Sequence, residues 1–339
     1  MLKNDLIKYD PTKIHETYDQ WPQIAKVAYQ NENCTQYDFK NINKVLFAGM
    51  GGSGTIGDII SSTMSKNIAS FVIKNNRIRQ SVDKHTLVVI TSISGNTEES
   101  LDILKEAKGK NCKIVAFSSG GKMSSYCKKN KIAFQNFEKF HSPRTSLPSA
   151  LYTVAKSLES QLKLKPKEIL HSIKTLNLTQ KQINSDNLSE KNNPSLKFAN
   201  WISDFPVIYY PIGLRAAAIR FKNSLQENSK IHALREEVME ACHNGVMGWE
   251  HSNKKQCILL RGIDDTEFTK KRMEILKKYF KQRKISFYEI ISIRGDIFSK
   301  LVNLIYFLDY STIYYAVLNK IDPGPLNSIN YIKNHLKKD

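Results

Sequence analysis

The chain has 339 residues, with 51 Lys and Arg against 32 Asp and Glu for a formal charge of +19, a length that accommodates two domains of ordinary size. Its basic residues are scattered, or alternate with apolar residues at helical spacing as in 270–284, the pattern of a solvated helix face and not of a nucleic-acid surface. The charge then describes solubility, non-specific affinity for polyanions at low salt and a positive field for small anions.

Met1 to Asp10 lacks the apolar core of a signal peptide, and a helical arm with Trp21 and Pro22 follows. Short β-rich runs then recur at Val45–Ala48, Phe71–Ile73, Leu87–Ile90, Lys113–Phe117 and Ile132–Phe134, with helix-like segments between most of them. Strands alternating with helices predict a parallel sheet covered on both faces, because parallel neighbours need crossovers. The stretch 157–197 is polar and rich in Lys, Asn and Ser, which predicts a junction between a first domain over 1–156 and a second over 198–339. Strand-like runs resume at Pro206–Tyr210, Cys257–Leu260 and Ser286–Ser292, each leading to a glycine. The repeated strand–glycine–helix order suggests two related α/β domains. Phe298 to Leu318 is the longest apolar stretch, but Lys300, Asn303 and Asp309 interrupt it, so it reads as a buried amphipathic helix and no membrane partner is expected. Five cysteines without a C-x-x-C pair fit reduced thiols in a cytoplasmic protein.

Two of these runs end abruptly in small and hydroxyl residues: Val45-Leu-Phe-Ala-Gly-Met-Gly-Gly-Ser-Gly54 and Leu87-Val-Val-Ile-Thr-Ser-Ile-Ser-Gly-Asn-Thr-Glu98. A strand that delivers such a loop onto a helix N-terminus presents backbone N–H groups to an anion. Neutral hydroxyls add donors without bulk or charge, so the expected ligand is a phosphomonoester. Gly49, Gly51 and Gly54 also spell G-x-G-x-x-G. A dinucleotide site, however, expects an acid about 20 residues further on, where Phe71-Val-Ile-Lys-Asn-Asn76 has none. Arg77 and Arg79 could suit a 2′-phosphate, but a second Ser-rich turn has no use in such a site.

The glycine and serine loops belong to a longer ordered set: Gly49-Met-Gly-Gly-Ser-Gly54, Ser92-Ile-Ser-Gly-Asn-Thr-Glu-Glu99, Pro143-Arg144 with Leu147-Pro148, Glu227-Asn228, His243-Asn244 with Gly248-Trp249, and Asp322-Pro323-Gly-Pro325 to Tyr331-Ile-Lys333. Across nearly the whole chain this set resembles the sugar isomerase (SIS) superfamily, specifically the bifunctional phosphoglucose/phosphomannose isomerases. The resemblance implies an α/β fold of two SIS domains, each a parallel sheet flanked by helices in a flavodoxin-like three-layer arrangement. It implies a homodimer with sites at domain and subunit junctions. The implied activity interconverts glucose 6-phosphate and mannose 6-phosphate with fructose 6-phosphate through a cis-enediol(ate), with no metal and no cofactor.

By the same resemblance Gly52, Ser53, Ser92, Ser94 and Thr97 hold the phosphate, and Glu227 shuttles a proton between C2 and C1. Arg144 stabilises the enediolate charge, and His243, supplied across the interface, opens the sugar ring. Lys333 assists ring opening, with Lys337 as the alternative register. Taken alone, Glu227 would read as a surface residue, His243 as structural and Arg144 as an ion-pair partner; the flanking Leu225-Gln226, Asn228, Asn244 and Trp249 shift the reading. One departure stands out: Gly245 occupies a place where the family commonly has an acid. Rival readings are an SIS enzyme for an amino sugar or pentulose phosphate, and a sugar-phosphate sensor. The sensor is disfavoured because no helix-turn-helix segment precedes residue 40 and a sensor would not need Glu227, Arg144 and His243 together.

Overall fold

In the computed structural model, which describes residues 3–251 and 256–336, an N-terminal arm of α1 (Lys3–Tyr9), α2 (Ile14–Asp19) and α3 (Trp21–Gln30) precedes the first sheet. That sheet and its helices are β1 (Lys44–Ala48), α4 (Gly51–Thr63), β2 (Ala69–Ile73), β3 (Thr86–Ser92), α5 (Glu98–Lys108), β4 (Lys113–Ser118), α6 (Gly121–Asn130), β5 (Ala133–Asn136) and α7 (Leu147–Ser157). The polar stretch that follows folds into α8 (Pro166–Ile183) and α9 (Pro194–Trp201). The second sheet comprises β6 (Val207–Tyr210), α10 (Arg215–Glu227), β7 (Leu234–Glu237), α11 (Val238–Ala241), β8 (Gln256–Arg261), α12 (Glu267–Gln282) and β9 (Ser286–Ile291), and α13 (Ile297–Leu318) and α14 (Asn327–Leu336) close the chain.

Both sheets are parallel throughout, in the orders β2-β1-β3-β4-β5 and β7-β6-β8-β9. The second repeats the first four positions of the first, which gives the suspected duplication a topological basis. Strands buried on both faces must be apolar at every position, and β3 is buried along its whole length. Its alternate residues divide between two cores: Leu87 and Val89 join α3, α4 and α7, while Val88 and Ile90 join α5 and α6. In the second sheet Ile208, Tyr210, Ile258 and Leu260 reach the same large core as Leu87, and Tyr209, Cys257 and Leu259 face a smaller one with Trp249, Met273 and Phe280. The inner faces of the two sheets therefore share one core.

The spine of that core is α13. Its most apolar window has a mean hydropathy of 1.3, enough for a membrane span by composition, yet 89% of the window is buried within the protein. The three polar interruptions are each answered: Lys300 bonds Asp264, Asn303 Nδ2 donates to Thr179 Oγ1 at 2.6 Å, and Asp309 pairs with Arg220 at 2.6 Å. A buried polar group needs such a partner. Ile169, Ile173, Leu176 and Ile183, one face of α8, are buried in the shared core. β7 is the strand that the sequence did not announce; Leu234-Arg-Glu-Glu237 has no β-rich signal, and it forms as an edge strand, where charged residues are tolerated.

Candidate active site

β1 and β3 are neighbours, with Ala48 opposite Ile90, so the loops leaving their carboxyl ends lie side by side where the strand order reverses, the usual ligand crevice of such sheets. The first loop turns at Gly51 (φ 51°) directly into α4, and the second ends at Thr97, the N-cap of α5. The loops are joined, because Ile93 N donates to Ser53 Oγ at 3.2 Å. Within the second, Ser92 Oγ donates to Thr97 Oγ1 at 3.1 Å and accepts from Gly95 N at 3.1 Å, while Ser94 Oγ accepts from Asn96 N at 3.2 Å. Ser53 and Ser92 are buried and Ser94 and Thr97 half-buried.

Gly95 fixes the shape of the second loop. Its φ is 67°, and a Cβ there would overlap the carbonyl oxygen of Gly120. Gly95→Ala is expected to cost about 1–3 kcal/mol of stability, read as a lower urea midpoint at unchanged m value. An unchanged midpoint would mean that the loop relaxes around the methyl group.

Beside these loops opens a cleft of about 650 Å³, lined by Gly51, by Asn223, Gln226, Glu227 and Lys230 at the end of α10, and by Pro325 to Ile329. Glu227 reaches it because Arg220, Ser224 and Glu227 recur at helical spacing along one stripe of α10. The lower turns of the stripe are bonded to α13: Arg220 donates to Asp309 Oδ2 through Nε at 2.9 Å and Nη2 at 2.6 Å, and Ser224 Oγ donates to Asp309 Oδ1 at 2.6 Å. Beyond Glu227, Asn228 Nδ2 donates to Thr312 Oγ1 at 2.8 Å and Ser229 Oγ to Thr312 O at 2.9 Å. Glu227 is thus held between anchored residues, half-buried, and its carboxylate has no hydrogen-bond partner among the described residues.

The loop between β1 and α4 and the middle of α10 meet at Arg220. A Cβ on Gly52 would stand 3.2 Å from its Nη1 and 3.9 Å from the Arg144 Cα, and its Nη2 donates to Arg144 O at 2.9 Å. Burial opposes the charged guanidinium of Arg220, but the Asp309 carboxylate outweighs it and the pKa lies above its ordinary value. Arg144 is only 3% exposed. Its Nη2 donates to Pro323 O at 2.6 Å and to Gly324 O at 3.0 Å, and its buried Nε has no partner among the described residues. Arg144 therefore stands behind the segment 323–325 that borders the cleft. Sequence reasoning missed Arg220 and Lys230; the Asp309 partner of Arg220 lies 89 residues away, which no local pattern reports.

Neither His243 nor Lys333 is among the residues that line the cleft. His243 follows α11, is exposed, and has its backbone N on Glu240 O at 2.9 Å. Lys333 is on α14, which buries none of its residues and exposes Tyr331, Ile332 and Leu336. Among the described residues no hydrogen bond joins either side chain to the cleft, and Lys337 is outside the described residues. One chain thus links Gly52, Ser53, Ser92, Ser94, Thr97 and Arg144 beside the cleft that Glu227 lines, while His243 and Lys333 are not part of that lining.

The space beside Gly245 is already filled. A Cβ there would overlap the carboxylate of Glu236, whose buried Oε2 has no partner among the described residues. Burial first, and then the charge of Glu240, raise the Glu236 pKa. An acid at position 245 would have to displace this carboxyl group. Trp249 packs into the smaller core, 5.3 Å from the Phe280 ring, with Nε1 on Tyr209 Oη at 2.9 Å.

Residues 38–160 match the SIS domain model and residues 191–336 the model for the bacterial phospho-glucose isomerase C-terminal SIS domain. The bifunctional phosphoglucose/phosphomannose isomerase of Aquifex aeolicus is 31% identical over 94% of this chain and 95% of its own. The protein of that name from Caldicellulosiruptor bescii is 28% identical over 93% and 96%. Among solved structures, a hypothetical protein from Thermus thermophilus superposes with a TM-score of 0.72 at 12% identity, covering 99% of this chain and 92% of that one, a likeness of fold.

Proposed function

The chain belongs to the bifunctional phosphoglucose/phosphomannose isomerase family, and from that footing we propose an aldose-ketose isomerase that interconverts glucose 6-phosphate and mannose 6-phosphate with fructose 6-phosphate. The observation that supports the site reading is that the half-buried Glu227 shares a cleft with Gly51 of the first hydroxyl loop, which is itself bonded to the second through Ile93 N and Ser53 Oγ. The substrate phosphate binds to the loops of Gly52, Ser53, Ser92, Ser94 and Thr97, which fixes the distance from phosphate to the reacting carbons.

Glu227 then takes the C2 proton and returns it to C1 on the same face of a planar cis-enediol(ate), so a single carboxylate serves both steps. With no hydrogen-bond partner among the described residues, both oxygens are open to the proton. Arg144, buried behind the strap 323–325, supplies positive charge close to the cleft, and fixed charge of this kind stabilises an anion as it develops. Neither step assigns a task to a metal. Ring opening needs a donor to the ring oxygen and an acceptor for the hydroxyl proton, tasks suited to an imidazole near neutral pH. His243 of the partner subunit fills that role in a cytoplasmic homodimer, and Lys333 on the exposed α14 assists it. That His243 does not line the cleft of its own chain supports a site completed by a second.

The test offers fructose 6-phosphate in the presence of a chelator and measures glucose 6-phosphate and mannose 6-phosphate separately. Both products are expected. A single product would narrow the specificity, and neither product from folded protein would overturn the reading in favour of another sugar phosphate or a sensor.

A further inference from the structure

Lys230 has no place in the mechanism above, yet it sits where the two ends of the cleft meet. It follows α10 at φ 60°, three residues beyond Glu227, and its Nζ donates to three main-chain carbonyls: Glu227 O at 2.5 Å, Pro325 O at 2.7 Å and Pro323 O at 3.4 Å. Arg144 Nη2, from the first domain, donates to Pro323 O and Gly324 O. Three successive carbonyls of the strap 323–325 are thus held by cations from both domains. The strap turns on itself at the same place, with Gly324 N on Asp322 Oδ1 at 2.7 Å. Immediately after it come Leu326 to Ile329, which form the cleft wall facing Glu227, and then the helix that carries Lys333.

We propose that Lys230 is a positioning residue, a clamp whose ammonium ties the strap 323–325 to the last turn of α10 and so sets the distance between Glu227 and the opposite wall of the cleft. Charged donors make stronger hydrogen bonds than neutral ones, and here one ammonium serves the backbone of the residue that carries the base and the backbone of the wall facing it. Its donors are spent on carbonyls, so it acts through the strap and not on the sugar phosphate. Partial desolvation, and then the neighbouring charge of Arg144, pull the Lys230 pKa below its ordinary value, opposed by Asp322 and Glu227. Being seated among these carbonyls therefore costs the ammonium some solvation, which its hydrogen bonds must offset. The proposal rests on the isomerase reading for its kinetic consequence, but not for its structural one.

Lys230→Met and Lys230→Arg test it, since both keep a Cβ and a long stem at the same left-handed backbone. In Lys230→Met, kcat for fructose 6-phosphate is expected to fall roughly tenfold, as small displacements of reacting groups do, with KM nearly unchanged because the phosphate loops are untouched. Lys230→Arg should recover most of the loss. Hydrogen exchange of peptides covering 322–330 should quicken in Lys230→Met and return in Lys230→Arg, while exchange in the sheets stays as in the parent. A KM that rises at constant kcat would overturn the clamp and make Lys230 a substrate ligand. Unchanged exchange in the strap would overturn it whatever the activity does. If the parent protein proved inactive on hexose 6-phosphates, the isomerase reading would fall while the exchange result still decided the clamp.

Discussion

Glu227→Gln should lower kcat by about 10²- to 10⁴-fold, the usual worth of general-base catalysis, and leave KM nearly unchanged. The amide matches the carboxylate in shape, and that carboxylate has no hydrogen-bond partner among the described residues to lose, while its neighbours Asn228 and Ser229 remain bonded to α13. Stability should therefore stay close to that of the parent, which separates a chemical defect from a folding one. Steady-state kinetics with fructose 6-phosphate, together with exchange of its C1 hydrogen with solvent, measure the effect. Loss of both the isomerisation and the exchange is expected. Activity within a few-fold of the parent would move the base to another residue. The same variant also reports on the subunit arrangement. When Glu227→Gln and His243→Asn proteins are unfolded together and refolded, mixed dimers carry one intact site if His243 acts across the interface, so activity should reappear. No recovery from a verified mixed dimer would place both groups in the same chain's site or remove His243 from the reaction.

Asp309→Asn should destabilise the protein by about 3–5 kcal/mol, because removing one partner of a buried pair strands the other charge. The side chain of Arg220 is 3% exposed and that of Asp309 fully buried. The carboxylate also accepts from Ser224 Oγ at 2.6 Å and Tyr18 Oη at 3.3 Å. Three elements, α2, α10 and α13, thus meet at one anion, and the loop of Arg144 joins them through Arg220. Their meeting point lies directly beneath the cleft, since Arg220 also donates to Arg144 O and adjoins Gly52. A lower urea midpoint should accompany a loss of isomerase activity at temperatures where the variant is still folded. Replacing both members, Arg220→Met with Asp309→Leu, should cost less than the two single changes added together, because no charge is then left buried alone. A change below about 1 kcal/mol in Asp309→Asn would mean that water or a shifted side chain neutralises Arg220, and that the pair does not organise the cleft.

Much of this was legible in the sequence. Short β-rich runs located eight of the nine described strands, and their alternation with helical segments required parallel sheets. Lys300, Asn303 and Asp309 within an otherwise apolar stretch marked α13 as a core helix, and the structure gives each of them a polar partner. These features are local: about ten residues hold the whole signal for a strand or an anion-binding turn. The same holds for the two hydroxyl loops, whose chemistry is written in consecutive residues. β7 escaped because an edge strand takes its identity from the neighbour it pairs with and not from its own side chains.

The sequence by itself therefore determined the layered α/β fold, the paired hydroxyl-bearing loops and the buried spine. Only the tertiary structure decided which charges face one another. Arg144 looked like an open cation and is instead buried behind Pro323 and Gly324, about 180 residues further along the chain. Glu236 fills the space beside Gly245, and Lys230 joins α10 to a strap 95 residues away. The energy of such a contact depends on distance and desolvation in the assembled protein. Neither quantity exists until sheets, helices and strap have packed, so no window of the sequence could have carried them.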